Sequence, residues 1–533
     1  RSSAASDVYK RQILTIAIAC AGLMAFPSCS DFLDENPKSS LTYQDYYKTQ
    51  EHIETNVNYM YRNGAGISIA SFGSAYMGSF AMVQGYLTGY FSNPYEGQEP
   101  TCRYARELTR QKNTVTVSSV TENVWKDCYK IINVANGCIE NIPNIKMEES
   151  VSKRLMAEAK FFRAFNYFML VKTFGDVPYY TTFYSSADAD MMLPRTEKAT
   201  VYKLIESDLQ EAVKELPAVK TADNGHRVTK YAAAMLLTDV YMYQNNYAEA
   251  AKTAKIVIDS PHKLVDNDDL AMGSAYNKLR TTDDLDEAIF VREANASIST
   301  NDWLPTYSVT SSFLELKDVK YAITERVYGP SDRFLNIYES NDLRRQPNQF
   351  FHWEYTQAST GKKWSDKNAA CWYWFDEEAL LTSGKGTKDW NYYRYAEALL
   401  DGAEAIAQTS GVTTEAASYL AQIKARANMQ GETVQDITDE LKTMGKEAFI
   451  QECWRERLRE MPLEFKIWDD CVRTKMFPVV SETTPGKIDF VPLVGATNGS
   501  GAKFTENDLL WPIATTEIQR NPNLEQNLGY SRE

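Results

Sequence analysis

Apolar side chains recur every three or four residues along several long stretches of the chain, which is the spacing of helices that bury one face. The spacing predicts helices over 40–62, 118–141, 151–174, 198–216 and, as two further helices, 229–259. The apolar stripe of the third stretch consists of Leu155, Ala159, Phe162, Phe165, Phe168 and Met169. Gly175 follows this stripe and suits a left-handed helix cap, so we expect the chain to leave the helix there.

Small residues mark the places where two predicted helices can approach each other closely. Ala232–Ala234 lie on one helix, an Asn-Asn turn follows at 245–246, and Ala250 and Ala254 face back from the next helix. Similar helices are predicted at 393–408, 414–428 and 446–460. The arrangement resembles a tetratricopeptide repeat, in which alanines let two antiparallel helices pack tightly.

Loop-rich insertions interrupt these helical pairs in about 63–117, 260–390 and 476–533. The middle insertion has a strand-like stretch, 288–292, and tryptophans at positions 303, 353, 364, 372, 374 and 390. We therefore predict a mostly α fold, a tetratricopeptide-like helical-pair solenoid in about 118–259 and 391–460, packed against an irregular loop-rich body with short strands. Trp372 and Trp374 are expected in the core of that body.

A short apolar run near the start of the chain predicts export. The run, Ile13–Phe26, follows two basic residues and is about fourteen residues long, shorter than the roughly twenty that cross a membrane. We interpret 1–28 as a signal peptide, without using 1–12, which are unlike a natural n-region. The small residue before Cys29 resembles a lipobox and predicts lipidation there; Cys20 is a second candidate, and an ordinary secretory signal is the alternative.

The charge balance argues against a nucleic-acid partner. The chain has 57 Lys and Arg against 71 Asp and Glu, a net charge of −14, so it has no basic excess for a phosphate backbone. Its 33 Tyr and 10 Trp offer faces that can stack on sugar rings, although most are expected to pack in the core. Cys128 and Cys138 are ten residues apart on one predicted helix, beyond the reach of a disulfide, and are expected to be buried thiols.

The sequence contains no pattern typical of a catalytic, metal or cofactor site. Glu456, Glu460 and Glu464 share one helical face, where ion pairs with arginines are favoured over the facing carboxylates of a glycosidase. The 4 histidines are isolated, and no nucleotide motif or CxxC pair occurs. The acidic runs 266–269 and 283–287 lack the spacing of a calcium loop, which favours solvated loops. We therefore expect neither enzyme activity nor a cofactor.

Blocks of sequence in a fixed order resemble the SusD/RagB family of outer-membrane nutrient-binding lipoproteins of Bacteroidota. The blocks are Ala157–Pro178, which includes AEAKFFRAFNYF and VKTFGDVP; Arg394–Ala405, which reads RYAEALLDGAEA; Glu456–Arg473; Trp511–Tyr530; and the start at Cys29. The third block departs from the family pattern at Pro462, Phe465, Ile467 and Asp469. Together the blocks span nearly the whole of the mature chain, 29–533, which we interpret as a single SusD-like domain.

The resemblance implies a lipid-anchored protein at the cell-surface side of the outer membrane. Its implied partners are a glycan ligand and a SusC-like TonB-dependent transporter that takes this ligand up. Some family members bind peptides, so a RagB-type peptide receptor stays open as an alternative. A surface-anchored hydrolase and a pure scaffold protein are further alternatives.

Family members meet their ligands with loops outside the repeats, after the first helix and in the central insertion. The matching stretches here carry aromatic rings with amide or carboxylate groups nearby, the mixture that a sugar site needs. The candidates are Tyr86, Tyr90, Asn93, Tyr95, Asn301, Asp302, Trp303 and Tyr307. Trp303 is the foremost of them, and the alternative for each ring is burial in the core.

Overall fold

Helices dominate the residues that the computed structural model describes, which are 46–65, 80–93, 105, 108, 115–184, 191–297, 303–309, 327–357, 360–499 and 501–532. Within them the helices are α1 Gln50–Tyr61, α2 Phe80–Leu87, α3 Val115–Asn141, α4 Glu149–Phe174, α5 Lys198–Glu215, α6 Lys230–Tyr243, α7 Tyr247–Ile258, α8 Ala275–Thr281, α9 Leu304–Ser308, α10 Asp332–Leu335, α11 Glu377–Thr382, α12 Tyr395–Ser410, α13 Thr414–Ala427, α14 Val434–Leu441, α15 Lys446–Glu460, α16 Ile467–Thr474 and α17 Thr515–Arg520. The strands are β1 Phe91–Ser92, β2 Ala288–Arg292, β3 Gly329–Pro330, β4 Phe351–Thr356, β5 Lys363–Cys371, β6 Trp390–Arg394, β7 Met476–Val480 and β8 Ile488–Pro492. These elements belong to a compact unit, Thr49–Glu533.

The long helices form one array of neighbouring pairs. Each of the helices α3, α4, α5 and α6 packs against the next one in the chain. Helix α7 packs against α12, and α12 packs against α13 and α15. The helical pairs predicted on the two sides of the central insertion are therefore joined across it. The predicted tetratricopeptide-like fold is confirmed.

Small side chains set the spacing of the array, as the alanine pattern predicted. Where α6 meets α7, Ala234 and Ala250 are fully buried, and the hydroxyl of Thr238 donates to that of Thr253 at 2.8 Å. Gly402 on α12 faces Ile258 at the end of α7, where a Cβ would lie 2.9 Å from the Cδ1 atom of that isoleucine. A larger residue than glycine would force these two helices apart.

Gly175 ends α4 with a positive φ of 74°, which favours glycine, but its ψ of −122° lies outside the left-handed helical region that the sequence predicted. The helix predicted to begin at 393 begins two residues later, at Tyr395, because Tyr393 and Arg394 still belong to strand β6.

The stretch 63–117 was predicted as irregular but contains α2, whose eight residues are all buried. Because most of these residues are apolar, the helix has no polar face, and its period cannot be recognised from the sequence.

Pairs of antiparallel strands hold the insertions, in the described part of the chain, as two-stranded sheets: β1 with β3, β2 with β6, β4 with β5 and β7 with β8. The predicted strand at 288–292 is confirmed as β2. Because β2 pairs with β6, the first part of the central insertion lies beside its last part, directly before α12. Cys128 and Cys138 are buried free thiols, as expected, and no described helix is long and apolar enough to span a membrane.

A buried network of charges fastens this strand pair to the helical array. The guanidinium of Arg394 lies 2.6 Å from Glu287, 2.8 Å from Glu460 and 2.8 Å from Glu464. Arg426 on α13 lies 2.6 Å from both Glu287 and Glu460. These side chains come from the residue before β2, the end of β6, helices α13 and α15, and the turn after α15, and all are buried.

Glu456 extends the network by one turn along the same face of α15. It lies 2.7 Å from Arg344, which also lies 3.1 Å from Glu460. The three glutamates that share one face of the predicted helix are therefore held by arginines, as the sequence favoured. Burial alone would raise the pKa of Glu456, but the charges of Arg344, Lys424 and Arg459 outweigh it and lower this pKa to about 2.

Replacing Arg394 with Met should lower the free energy of unfolding by about 3–5 kcal/mol, because it leaves buried carboxylates without their counter-charge. The control is Lys252→Met, which removes an exposed pair with Glu249 whose side chains are 70% and 42% exposed. That change should cost less than about 1 kcal/mol. Urea unfolding measures both, and equal losses in the two variants would contradict the structural role of Arg394.

Acid should weaken the fold through Glu456. A carboxylate whose pKa lies below the value of 4.5 for the free side chain stabilises the folded state above that value, and loses this effect as the pH falls towards about 2. The loss for Glu456 is about 3 kcal/mol between pH 5 and pH 2. Urea unfolding at a series of pH values should therefore show a shallower acid dependence in Glu456→Gln than in the wild type, whereas Glu249→Gln, on the surface, should follow the wild type. Parallel curves for Glu456→Gln and the wild type would refute the assignment.

Candidate functional site

Trp303 is partly exposed, and the residues that follow it in the chain are buried. It directly precedes the short helix α9, in which Leu304 and Tyr307 are fully buried. The carbonyl of Trp303 accepts hydrogen bonds from the backbone N–H of Tyr307 at 3.0 Å and from the hydroxyl of Thr306 at 2.8 Å. The backbone of the tryptophan is thus fixed while its indole ring stays partly exposed.

An open cavity of about 650 Å³ lies close to Trp303, which does not line it but contacts Lys385 of its wall. One wall is the segment Ala294–Ser297, and the other is formed by α11 and the loop that follows it up to Thr387. Helix α9 packs against α11, and Lys385 of the loop places its Nζ atom 5.6 Å from the centre of the Trp303 ring. The volume is in the range of sites that hold a small organic ligand.

The strand pair β2–β6 brings the two walls of the cavity together. The segment Ala294–Ser297 follows directly after β2, and the loop with Lys385 runs into β6. The backbone N–H of Ala294 donates to Asp389 at 2.8 Å, which ties one wall to the other. Burial, and to a smaller extent Asp283, raises the pKa of Asp389 to about 6 although this hydrogen bond opposes the shift.

Local hydrogen bonds fix the wall that carries Lys385. Asp376 caps α11 by accepting from the N–H of Ala379 at 2.9 Å, and its second oxygen accepts from the N–H of Thr387 at 3.4 Å. The hydroxyl of Ser383 accepts from the N–H of Lys385 at 3.1 Å. Because the loop is closed by its own side chains, its remaining polar groups are held in place to meet a ligand.

The cavity offers chemistry for a polyhydroxylated ligand. Its lining supplies the amide of Asn295, the hydroxyl of Thr382, the carboxylate of Glu378 and the ammonium of Lys385. An amide both donates hydrogen bonds to sugar hydroxyls and accepts them, a carboxylate accepts them, and an indole face packs against the C–H groups of a sugar ring. In the part of the chain that the structure describes, no group of three His, Cys, Asp or Glu residues is arranged to hold a metal ion.

Other predicted site residues lie in the core instead of at the surface. Tyr86, Tyr90 and Asn93 are 3%, 4% and 2% exposed, and Tyr307 is fully buried. The hydroxyl of Tyr86 donates to the carbonyl of Val327 at 2.9 Å. These rings pack against other aromatic side chains, so the exposed faces that the sequence prediction requires are not present at these positions. Trp372 and Trp374 are buried as predicted.

Tyr90 borders a different cavity from the one beside Trp303. This second cavity has a volume of about 560 Å³ and is lined in part by Arg333, Phe477 and Asn498. The hydroxyl of Tyr90 donates to the carbonyl of Pro478 at 2.6 Å, which holds the ring in the cavity wall. The stretch that contains Tyr90 therefore borders a different cavity from the one close to Trp303.

The remaining predictions fall on residues that the structure does not describe. They are Cys29, Tyr95, Asn301 and Asp302. The residues that line the cavity beside Trp303, such as Asn295, Thr382 and Lys385, were not predicted. They carry no motif, and they lie about ninety residues apart in the chain on two loops that only the pairing of β2 with β6 brings together.

Two family models match the chain in succession. The first, described as "Starch-binding associating with outer membrane", matches residues 31–242, and the second, described as "SusD family", matches residues 306–530. The chain belongs to the SusD/RagB family. The helical pairs and the central insertion thus have the arrangement that the sequence blocks implied.

Similar proteins are found in Bacteroidota. The SusD-like protein P2 of Formosa agariphila is 26% identical over 529 residues, which cover 95% of this chain and 98% of that protein. The starch-binding protein SusD of Bacteroides thetaiotaomicron is 26% identical over 455 residues, 72% of this chain and 74% of that protein. A crystal structure of a SusD superfamily protein from Parabacteroides distasonis superposes with a TM-score of 0.76 at 25% identity, and covers 92% of this chain and 100% of that one.

Proposed function

We propose that this protein is a cell-surface lipoprotein that binds a glycan and delivers it to a SusC-like TonB-dependent transporter. The observation that carries the proposal is the partly exposed indole of Trp303 beside a polar cavity of about 650 Å³. An aromatic face next to hydroxyl, amide and carboxylate groups matches the alternation of C–H and O–H groups on a sugar. The relative named as a starch-binding protein supports the same class of ligand.

The place of the described carboxylates supports binding without cleavage. Glycoside hydrolysis needs two carboxyl groups that face each other across the bond to be cut. Glu456, Glu460 and Glu464, which share a helical face, are buried in ion pairs with arginines and cannot take this part. Near Trp303, Asp376 is occupied in capping α11.

Anchoring at Cys29 belongs to the same proposal. The apolar run before this residue and the small residue next to it are typical of a lipoprotein signal. One of the two matching family models describes proteins associated with the outer membrane. A lipid at the N-terminus would keep the binding site beside the transporter, where a released ligand is captured at high local concentration.

Trp303→Ala should weaken glycan binding at least tenfold, about 1.4 kcal/mol, because the sugar loses its stacking face. The measurement is isothermal calorimetry with the chain from residue 30 onward, which retains the unit Thr49–Glu533, against polysaccharides, oligosaccharides and peptides. The matched control is Trp353→Ala, which removes another partly exposed indole, on strand β4. Binding of peptides alone would favour the RagB-type alternative, and product formation would favour a hydrolase; either result contradicts the proposal.

Cys29→Ser should abolish incorporation of labelled palmitate and release the protein from the membrane in cells that express it. Cys20→Ser should leave both unchanged, because the proposed lipid attachment is at Cys29. Palmitate labelling and membrane fractionation measure these two effects. In addition, purification of the intact protein should recover a TonB-dependent transporter bound to it. Labelling that persists in Cys29→Ser, or a purified complex without a TonB-dependent transporter, would contradict the anchoring or the delivery step respectively.

A further inference from the structure

Arg280 differs from the other buried arginines of the body. Arg344, Arg394 and Arg473 are each within 2.8 Å of a carboxylate. Arg280 on α8 is only 7% exposed, yet in the described structure it has neither a hydrogen bond nor an ion pair. A buried charge without a counter-charge is costly, so a fold that keeps one needs a reason for it.

Aromatic rings enclose this guanidinium. Its Cζ atom lies 5.7 Å from the centre of the Trp372 ring and 6.0 Å from that of Phe375, and these two rings stack on each other at 3.7 Å. The ring of His352 lies 4.3 Å from that of Trp372. Cation–π attraction stabilises the charge in part, but the planar N–H groups of arginine still need acceptors.

In the described structure the charge of Arg280 has no nearby acid to compensate it, and burial alone lowers the pKa of Arg280 to about 10. Burial, and the charge of Arg280, also lower the pKa of His352 to about 4, so this neighbour is neutral at pH 7 and does not add a second positive charge. The Nε atom of Arg280 is buried without an acceptor.

From these contacts we infer that Arg280 binds an anionic group of the ligand, the carboxylate of a uronic acid or a sulfate ester. The planar fork of a guanidinium matches both groups with paired hydrogen bonds, and surrounding aromatic rings strengthen such a pairing by excluding water. The inference rests on the proposed glycan-binding function and narrows it to acidic glycans.

The position of Arg280 fits a ligand that also reaches the cavity beside Trp303. The turn Trp372–Trp374 packs against α8, which carries Arg280, and against α9, which follows Trp303. Phe375, which faces Arg280, directly precedes Asp376 in the wall of that cavity. Arg280 and the cavity are thus connected through the chain segment 372–376, and an oligosaccharide that extends along this segment would contact both.

The first test compares each acidic glycan with its neutral counterpart by calorimetry. Oligogalacturonides are paired with carboxyl-reduced forms, and sulfated glycans with desulfated forms, which also distinguishes the two anionic groups. The wild type should bind one acidic form at least tenfold more tightly than its neutral partner, and Arg280→Gln should remove this preference. Arg280→Lys should restore it only in part, because an ammonium lacks the fork. A wild type that prefers the neutral forms would overturn the inference and leave the proposed function in place.

The second test does not depend on a glycan. Sodium sulfate should raise the melting temperature of the wild type more than that of Arg280→Gln, relative to sodium chloride at the same ionic strength. Arg520→Gln, which removes an exposed arginine paired with Glu517, should respond as the wild type does. Equal shifts in the wild type and Arg280→Gln would overturn the anion site. If no glycan binds but the sulfate shifts differ, the proposed function fails and the anion site stands.

Discussion

The buried guanidinium of Arg394 is the constraint on which the arrangement of this protein depends. It stands where strand β6 ends and helix α12 begins, and it meets Glu287, Glu460 and Glu464 from three other parts of the chain. Removing charges from water is costly unless their partners are in place. The network therefore does little to increase stability over an apolar core, but it excludes arrangements in which the insertion and the helical array meet in another register.

This constraint also determines where the proposed ligand site lies. The central insertion leaves the helical array after α7 and returns through β6, and the charge network pins the end of the strand pair β2–β6 at which β2 begins and β6 ends. The walls of the cavity beside Trp303 are the chain segments directly beyond those pinned strands. A rigid base with polar loops at its edge gives a site whose side chains are already in place before the ligand arrives, which reduces the entropy lost on binding.

Two kinds of buried arginine occur in the described body. Arg344, Arg394 and Arg473 form ion pairs with carboxylates, and these pairs hold elements together. Arg280 contacts aromatic rings and has no carboxylate partner. An anion that arrives from solution can therefore compensate the charge of Arg280, whereas the charges of the other three arginines are already compensated.

The sequence by itself determined the helical pairs, the helix end at Gly175, the strand at 288–292 and the family, because these depend on local spacing and on blocks of neighbouring residues. It also gave the correct reading of Glu456, Glu460 and Glu464 as ion-paired residues, though not their partners. Only the tertiary structure decided which predicted rings are exposed. Tyr86, Tyr90 and Tyr307 lie in aromatic stretches much like that of Trp303, and burial depends on contacts with residues far away in the chain. Lys385 and Arg280 could not be predicted for the same reason. The surroundings of a side chain depend on its neighbours in space, and a local sequence pattern does not contain them.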